Sequence, residues 1–225
     1  MKRFMLLLFA AWVWCSLSAQ SVTITPPVAY INEGDSVELT ASGATFYQWS
    51  PSAGLSYDNG FTVIASPSVT TVYTATGYNP TGDELVVNGD FEMGNTGFYT
   101  TYSYGNTGSY NHYYIGYDIA DMWPWDSPGF PVNDHTSGDG LFLMIDGALE
   151  ENSTVWSQTI SVSPNTDYVF SAWILTDNIG YIKFVINDVS SPDLTTPETR
   201  WTWEKYYMVW NSGNSTQATI SIINR

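Results

Sequence analysis

The sequence is poor in cysteine and in positive charge. It has one cysteine, Cys15, and only six lysines and arginines against 22 aspartates and glutamates, which gives a formal net charge of −16. A surface of this sign repels phosphate backbones and anionic lipid headgroups. We therefore expect neither a nucleic acid nor a membrane surface to be the partner. An excess of oxygen ligands instead suits a hard cation such as Ca²⁺.

Long hydrophobic runs are also missing, except near the amino terminus. Lys2 and Arg3 precede the apolar run Phe4–Val13, and Leu17-Ser18-Ala19 ends in a small residue. This order is typical of a secretory signal peptide, and the run is shorter than the roughly 20 residues of a transmembrane helix. We expect residues 1–19 to be cut off and the chain to be secreted or held at the cell surface, without inserting into a membrane. The mature chain would then have no thiol for a disulfide, a metal site or catalysis.

The sequence also lacks the periodicity of an amphipathic helix. No stretch of helical length carries apolar residues at three-and-four spacing, whereas short runs rich in Val, Ile, Thr, Tyr and Trp alternate with Gly, Pro, Asn and Asp. In one such run, Ile182, Phe184 and Ile186 alternate with Lys183, which predicts a strand with one buried face. Aromatic residues make up 16% of the chain, which argues against disorder. The fold class is therefore all-β.

A turn-rich stretch at residues 79–83 predicts a linker between two domains. The first, residues 20–78, contains Trp49 in a strand-like run, where it is expected to be the central core residue. This domain resembles the Ig-like or PKD-like modules of secreted bacterial surface proteins, which implies a small sandwich that serves as a spacer. The residues that carry this resemblance are Glu33–Val37, Leu39–Gly43, Tyr47–Pro51, Ser66–Pro67 and Thr70–Thr74.

The second domain, residues 84–225, contains motifs at Leu85–Glu92, Asp134–Thr136, Gly138–Gly140, Trp156–Ile160 and Pro164–Trp173. With these motifs it resembles the galactose-binding-like jelly rolls of carbohydrate-binding modules in exported bacterial surface and gliding-type proteins. The resemblance implies a jelly-roll β-sandwich. Domains of this type close with one more strand than is found here, so we expect the chain to be a piece of a longer protein, truncated at its last strand.

The stretch VVNGDFEMG, residues 86–94, places three oxygen-bearing side chains at alternate positions. As a strand it would turn Asn88, Asp90 and Glu92 outward and Val87 and Phe91 into the core. The alternative is a turn, since Asn-Gly is a strong turn dipeptide. The jelly-roll resemblance implies a structural Ca²⁺ here. Its ligands would be the main chain of Asp90, the carboxylate of Glu92 and the loop that contains Asp139.

Residues 98–130 hold seven tyrosines and two tryptophans with few aliphatic residues. Aromatic faces set among Asn, Asp and Ser suit sugar rings, although long loops also pack their own aromatics over the end of a sandwich. Four other tryptophans, in strand-like runs, are expected in the core: Trp156, Trp173, Trp203 and Trp210. The candidate carbohydrate-binding residues are Tyr104, Tyr117, Trp123 and Trp125, with Asp121, Asp126 and His135 as polar partners.

Catalytic motifs are not found. The two histidines, His112 and His135, have no G-x-S-x-G serine to activate and no zinc-site spacing. A glycosidase built from Asp139, Asp146, Glu150 and Glu151 is a distant third interpretation. We expect a non-enzymatic protein that binds a polysaccharide or surface glycan. The alternative is a purely structural adhesin or filament module that contacts other surface proteins.

Overall fold

The computed structural model describes the backbone of residues 5–15, 17–124, 132–197 and 199–225, and side chains from Gln20 onward. The chain divides into two compact units, residues 14–83 and residues 84–225 together with residues 1–13. The prediction of an all-β class is confirmed. The strands in chain order are β1 Met5–Cys15, β2 Leu17–Gln20, β3 Thr23–Thr25, β4 Val37–Ser42, β5 Phe46–Ser50, β6 Thr62–Ala65, β7 Thr74–Pro80, β8 Ser103–Tyr104, β9 His112–Gly116, β10 Phe142–Asp146, β11 Thr154–Ser161, β12 Asp167–Thr176, β13 Tyr181–Ile186, β14 Val189–Ser190, β15 Leu194–Thr195, β16 Glu204–Asn211 and β17 Gln217–Asn224.

The smaller unit consists of two three-stranded antiparallel sheets, with strand orders β2-β7-β5 and β3-β4-β6. Alternate residues of β4, Leu39 and Ala41, pack into its core because successive side chains of a strand point to opposite faces. Trp49 is 1% exposed, as predicted. Its indole Nε1 donates to the Gly60 carbonyl at 2.8 Å, so the one polar atom of the buried ring has a partner.

The larger unit consists of a six-stranded sheet, in the order β16-β12-β1-β10-β9-β8, and a five-stranded sheet. In the second sheet β11, β17, β13 and β14 follow one another, and β15 also pairs with β13. The two sheets meet through aromatic rings. Phe170 of β12 lies 5.9 Å from Trp156 and 4.9 Å from Phe184, centroid to centroid. The strand predicted around Phe184 is confirmed, with Ile182 and Ile186 buried beside it.

The segment expected to be a signal peptide forms an inner strand. In the uncut chain β1 lies between β12 and β10. Its register with β10 is antiparallel, from Met5 opposite Asp146 to Leu8 opposite Leu143. A continuous apolar run suits both a signal peptide and a strand buried on both faces. Within the described residues, no helix is long and apolar enough to cross a membrane.

Candidate functional site

Residues 86–97 form a chain of turns rather than the predicted strand. Asn88 and Phe91 have φ angles of 57° and 61°, in the left-handed region that ends an extended run. As a result the expected alternation of faces is lost. Phe91 is buried as predicted, at 1% exposure, but Val87 is 58% exposed and Asn88 is buried, so the strand interpretation was wrong at both positions. The alternative, an Asn-Gly turn, is confirmed.

The hydrogen bonds of the Asn88 side-chain amide explain why this segment forms turns rather than a strand. Its Nδ2 donates to the carbonyls of Gly94 at 2.9 Å and Thr96 at 2.7 Å, and its Oδ1 accepts from Met93 N at 2.8 Å. One side chain thus satisfies three backbone groups of the loop, an alternative to sheet hydrogen bonds that Asn offers readily. Gln158 of β11 holds the same loop through bonds with both the N–H and the carbonyl of Val87, at 2.9 Å each.

Glu92 reaches from these turns to the loop at residues 134–141. Its Oε1 accepts a hydrogen bond from Leu141 N at 2.7 Å. Gly140 packs so closely against this carboxylate that an added Cβ would collide with Oε1. The structure therefore brings together Glu92 and the loop that contains Asp139. A carboxylate at this junction is able to link the two loops.

Asp134 organises the same loop from within. Its buried carboxylate accepts from the backbone N–H groups of Thr136, Ser137 and Gly140 at 2.8–3.0 Å. Burial alone raises the pKa of Asp134, but the hydrogen bonds from Ser137, Gly140 and Thr136 favour the charged form and leave the pKa below its ordinary value. Sequence reasoning assigned no role to Asp134. The signal was an Asp two and three residues before Thr136 and Ser137, since Asp side chains often bond to backbone N–H groups two residues further on.

Within the part of the chain that the structure describes, the other two candidate metal ligands, Asp90 and Asp139, have no side-chain contact that links the two loops as Glu92 does. Asp90 is half-buried, and its Oδ1 accepts from Glu92 N at 3.3 Å, while Asp139 is exposed. Among the residues that the structure describes, no group of three His, Cys, Asp or Glu side chains is placed to hold a metal ion. A calcium site here would therefore need main-chain oxygens beside the Glu92 carboxylate, which is a donor set that calcium accepts.

The candidate ligand surface is the outer face of the six-stranded sheet, which carries Phe142, Met144 and Leu175 and is turned away from the five-stranded sheet. Its middle is covered by a buried cluster in which Ile119, Met122, Trp123 and Val132 pack on those three side chains. Tyr114, Trp173, Trp201 and Trp203 pack around this cluster and are only partly buried. The outer face thus has a closed centre and two aromatic flanks.

The first flank is a tyrosine stack at β8 and β9. Tyr104 is 51% exposed, and its ring lies 5.4 Å from that of Tyr114 with an interplanar angle of 21°. It also meets Tyr113 edge-on at 5.3 Å. Partial burial, with smaller effects of Tyr114 and Tyr113, raises the pKa of Tyr104. Tyr104, a candidate from the sequence, is therefore exposed at the surface while its ring packs on that of Tyr114.

The second flank is formed by His135, Trp173, Trp203 and Lys205. His135 is exposed and stacks on Trp173 at 3.6 Å, with Trp203 edge-on at 6.2 Å. Lys205 lies opposite Trp173 in the register, and its Nζ is 5.6 Å from the centre of that ring. Burial and the nearby Lys205 lower the pKa of His135, against a smaller opposing effect of Asp134. His135 is therefore neutral at pH 7, able both to donate and to accept.

Two of these residues differ from the sequence prediction. Trp156 and Trp210 are buried, as expected, but Trp173 and Trp203 are half-buried on the outer face. Alternation within β12 contained the signal: Phe170, Ala172 and Ile174 point inward, so Trp173 points outward. The indole Nε1 of Trp203 donates to Asn133 O at 3.1 Å, which ties the flank to the loop that contains His135.

The other sequence candidates have different surroundings. Tyr117 is exposed, and the carboxylate of Asp121 caps the 3₁₀ turn Ile119–Asp121 by accepting from Tyr117 N at 2.9 Å and Asp118 N at 3.1 Å. Trp123 is 2% exposed. Its indole Nε1 donates to the buried carboxylate of Asp146 at 3.4 Å. Its ring is therefore core and gives no surface for stacking, a correction to the prediction. Trp125 and Asp126 lie outside the described residues.

Comparisons with protein-family models, with curated proteins and with solved structures find no match for this chain. The assignment of a function therefore depends on the residues and contacts above.

Proposed function

We propose that the chain is an exported, non-enzymatic carbohydrate-binding protein. In this proposal an Ig-like spacer precedes a jelly-roll-like β-sandwich that binds a polysaccharide or surface glycan. The observation that carries the proposal is the pair of exposed aromatic flanks of the six-stranded sheet, Tyr104 stacked on Tyr114 and His135 beside Trp203. A neutral polysaccharide chain has the apolar ring faces and the hydroxyls that such flanks recognise.

The tyrosine flank supports this proposal by its geometry. Tyr104 presents one ring face to solvent while its other contacts, with Tyr113 and Tyr114, hold the ring in place. A ring that is already fixed loses little side-chain entropy when a sugar stacks on it. The second flank adds polar atoms, because the neutral His135 imidazole is able to hydrogen-bond to a sugar hydroxyl beside the Trp203 ring.

A bound Ca²⁺ is the second part of the proposal. The Glu92 carboxylate, the main chain of Asp90 and the loop containing Asp139 would hold it, and the ion would supply a cross-link between the turns at 86–97 and the loop at 134–141. The existing contact of Glu92 with Leu141 N supports this link. The larger unit should then melt at a higher temperature in calcium than in EDTA, and Glu92→Gln should remove the difference. An unchanged melting temperature for the original chain in EDTA would contradict the calcium proposal.

The test of sugar binding is a titration of the full chain against a panel of neutral polysaccharides, followed by Tyr104→Ala. Loss of the exposed ring should weaken binding roughly tenfold, which corresponds to about 1.4 kcal/mol, whereas Tyr104→Phe should retain it. Tyr99→Ala is the matched control, because Tyr99 is also exposed but pairs with Ser157 of the other sheet. Equal loss in both alanine variants, or no binding to any polysaccharide, would contradict the proposal.

A structural module that contacts other surface proteins remains the second candidate. It is favoured by the burial of Tyr102, Tyr113 and Trp123, which shows that part of the aromatic segment belongs to the core. Exposed apolar side chains on the smaller unit, Tyr30 and Val72 among them, are also compatible with protein contacts. This candidate would be favoured if the chain bound none of the glycans tested but pulled down a surface protein.

A further inference from the structure

Tyr104 lies at the edge of the six-stranded sheet, and two neighbouring rings support it. It belongs to β8, the last strand in the order β16-β12-β1-β10-β9-β8. Its ring lies 5.3 Å from that of Tyr113 and 5.4 Å from that of Tyr114, centroid to centroid. These two tyrosines are successive residues of β9, so their side chains point to opposite faces of the sheet. The exposed ring therefore has one support from each face.

The support from the outer face is held by packing. Tyr114 packs against the buried cluster that contains Met144, which is its partner in the register of β9 with β10. This cluster closes the centre of the outer face. The position of Tyr114 is therefore set by the core of the larger unit.

The support from the inner face is tied to the loop of turns described above. The hydroxyl of Tyr113 donates to Oδ1 of Asn95 at 2.9 Å. The ring of Tyr113 meets that of Phe98 edge-on at 5.9 Å, and Phe98 meets the buried Phe91 edge-on at 5.8 Å. Because Tyr113 is only 8% exposed, its hydroxyl needs a partner within the protein. One hydrogen bond and a row of rings thus connect the turns to the side chain that supports the exposed tyrosine.

Asn95 is exposed, but its backbone is fixed on both sides by Asn88. The Asn88 amide donates to the carbonyls of Gly94 and Thr96, the residues before and after Asn95. At the other end of the hydrogen bond, Tyr113 belongs to a strand that pairs with β10 along its whole length. The bond between Asn95 and Tyr113 is therefore anchored at both ends.

The orientation of the Tyr104 ring depends on these supports because the backbone alone does not set it. β8 has only two residues, and the next backbone N–H, that of Gly105, donates to the Tyr113 carbonyl at 2.9 Å. Such bonds fix the main chain and leave the side chain free to choose a rotamer. A ring that is already held by its neighbours loses less entropy when a sugar stacks on it than a ring that turns freely.

We propose that Asn95 is a positioning residue of the glycan site: its hydrogen bond with Tyr113 holds the Tyr104 ring in the orientation that stacks on a sugar, and Asn95 itself does not touch the sugar. This inference rests on the proposed function, because it deepens the role of the tyrosine flank. It adds the turns at residues 86–97 to the glycan site through a hydrogen bond and ring packing, independently of any metal ion.

The test is a double-mutant cycle on the full chain, read as the affinity for galactomannan, xyloglucan and dextran, which are soluble neutral polysaccharides. Asn95→Ala and Tyr113→Phe remove the same hydrogen bond, and each should weaken binding about threefold through the loss of preorganisation. The double variant should bind no more weakly than either single variant, because one bond is lost only once.

Two further variants serve as controls. Asn95→Asp keeps an acceptor oxygen for the Tyr113 hydroxyl and should retain the original affinity. Asn214→Ala changes an exposed asparagine between β16 and β17 and should also bind as the original chain does. Additive losses in the cycle would show that Asn95 contacts the sugar itself and would overturn the inference. An Asn95→Ala chain that melts at a lower temperature but binds with unchanged affinity would overturn it as well.

A measurement without sugar follows the ring directly. With meta-fluorotyrosine in place of Tyr104, the fluorine resonance should shift and narrow in Asn95→Ala, because the ring gains freedom. The resonance should stay unchanged in Asn95→Asp. An unchanged resonance in Asn95→Ala would show that Asn95 does not hold the ring and would contradict the inference.

Failure of the proposed function gives a different result. If the original chain binds no polysaccharide, sugar binding is contradicted, and the fluorine resonance alone then decides whether Asn95 holds the Tyr104 ring. If Tyr104→Ala weakens binding and Asn95→Ala does not, the positioning role is contradicted while sugar binding stands.

Discussion

The two units differ in the position of the strand that the first 20 residues contribute to each of them. The smaller unit receives β2, which lies at the edge of the sheet β2-β7-β5, whereas the larger unit receives β1, an inner strand. An edge strand bonds to one neighbour, whereas an inner strand bonds to two. The same short segment is therefore peripheral to one core and central to the other. The position of a strand therefore determines how many neighbours lose hydrogen bonds when it is removed.

The largest expected effect comes from a chain that begins at Gln20. Each lost backbone hydrogen bond costs about 1 kcal/mol, and β1 has at least the four registered pairs with β10 to lose. We expect amide hydrogen exchange in β10 and β12 to accelerate by orders of magnitude, while exchange in β4 and β5 of the smaller unit changes little. Equal acceleration in both units would contradict the comparison.

An intermediate effect is expected at Asp134, which acts in the larger unit alone. Asp134→Asn replaces one acceptor oxygen by a donor and leaves a backbone N–H of Thr136, Ser137 or Gly140 unpaired, at a cost of about 1–3 kcal/mol. Because the pKa of Asp134 is lowered by folding, its contribution is present above the ordinary value of about 3.9 and disappears as the pH falls below it.

The measurement for Asp134 is thermal unfolding between pH 2 and pH 7. The original chain should lose stability in acid more steeply than Asp134→Asn, and the two curves should approach each other at the lowest pH. Thr45→Ala, which removes a hydroxyl bonded to Asn79 in the smaller unit, is the control that should leave the acid profile unchanged. Parallel curves for Asp134→Asn and the original chain would contradict the role of its ionised form.

Alternation and propensity predicted much of this molecule. The faces of β13, the burial of Trp49 and the all-β class follow from side chains near in sequence. At residues 86–97 the sequence offered both a strand and an Asn-Gly turn and did not decide between them, since the Asn88 amide bonds to carbonyls six and eight residues away. The inner place of β1 could not be predicted either, because an apolar run has the same composition in a signal peptide and in a buried strand. Trp173 shows a third limit: a strand's period separates its two faces, but only packing tells which face is covered.

The smallest effect expected at pH 7 is at Tyr102, which is buried in the larger unit with its hydroxyl accepting from Ala148 N at 3.1 Å. Burial, opposed by this bond and aided by the charge of Asp146, raises its pKa to about 12. Because folding raises this pKa, the neutral hydroxyl contributes its full stability below the ordinary value of about 10, and roughly 2–3 kcal/mol is lost as the pH rises through 12. Tyr102→Phe cannot ionise and should flatten that alkaline loss in the larger unit, while costing only about 1 kcal/mol at pH 7. The loss of stability in alkali is measured by alkaline unfolding followed by near-ultraviolet circular dichroism. The control is Tyr99→Phe, at an exposed tyrosine. An identical alkaline slope in all three chains would show that Tyr102 ionises no differently from a tyrosine in water.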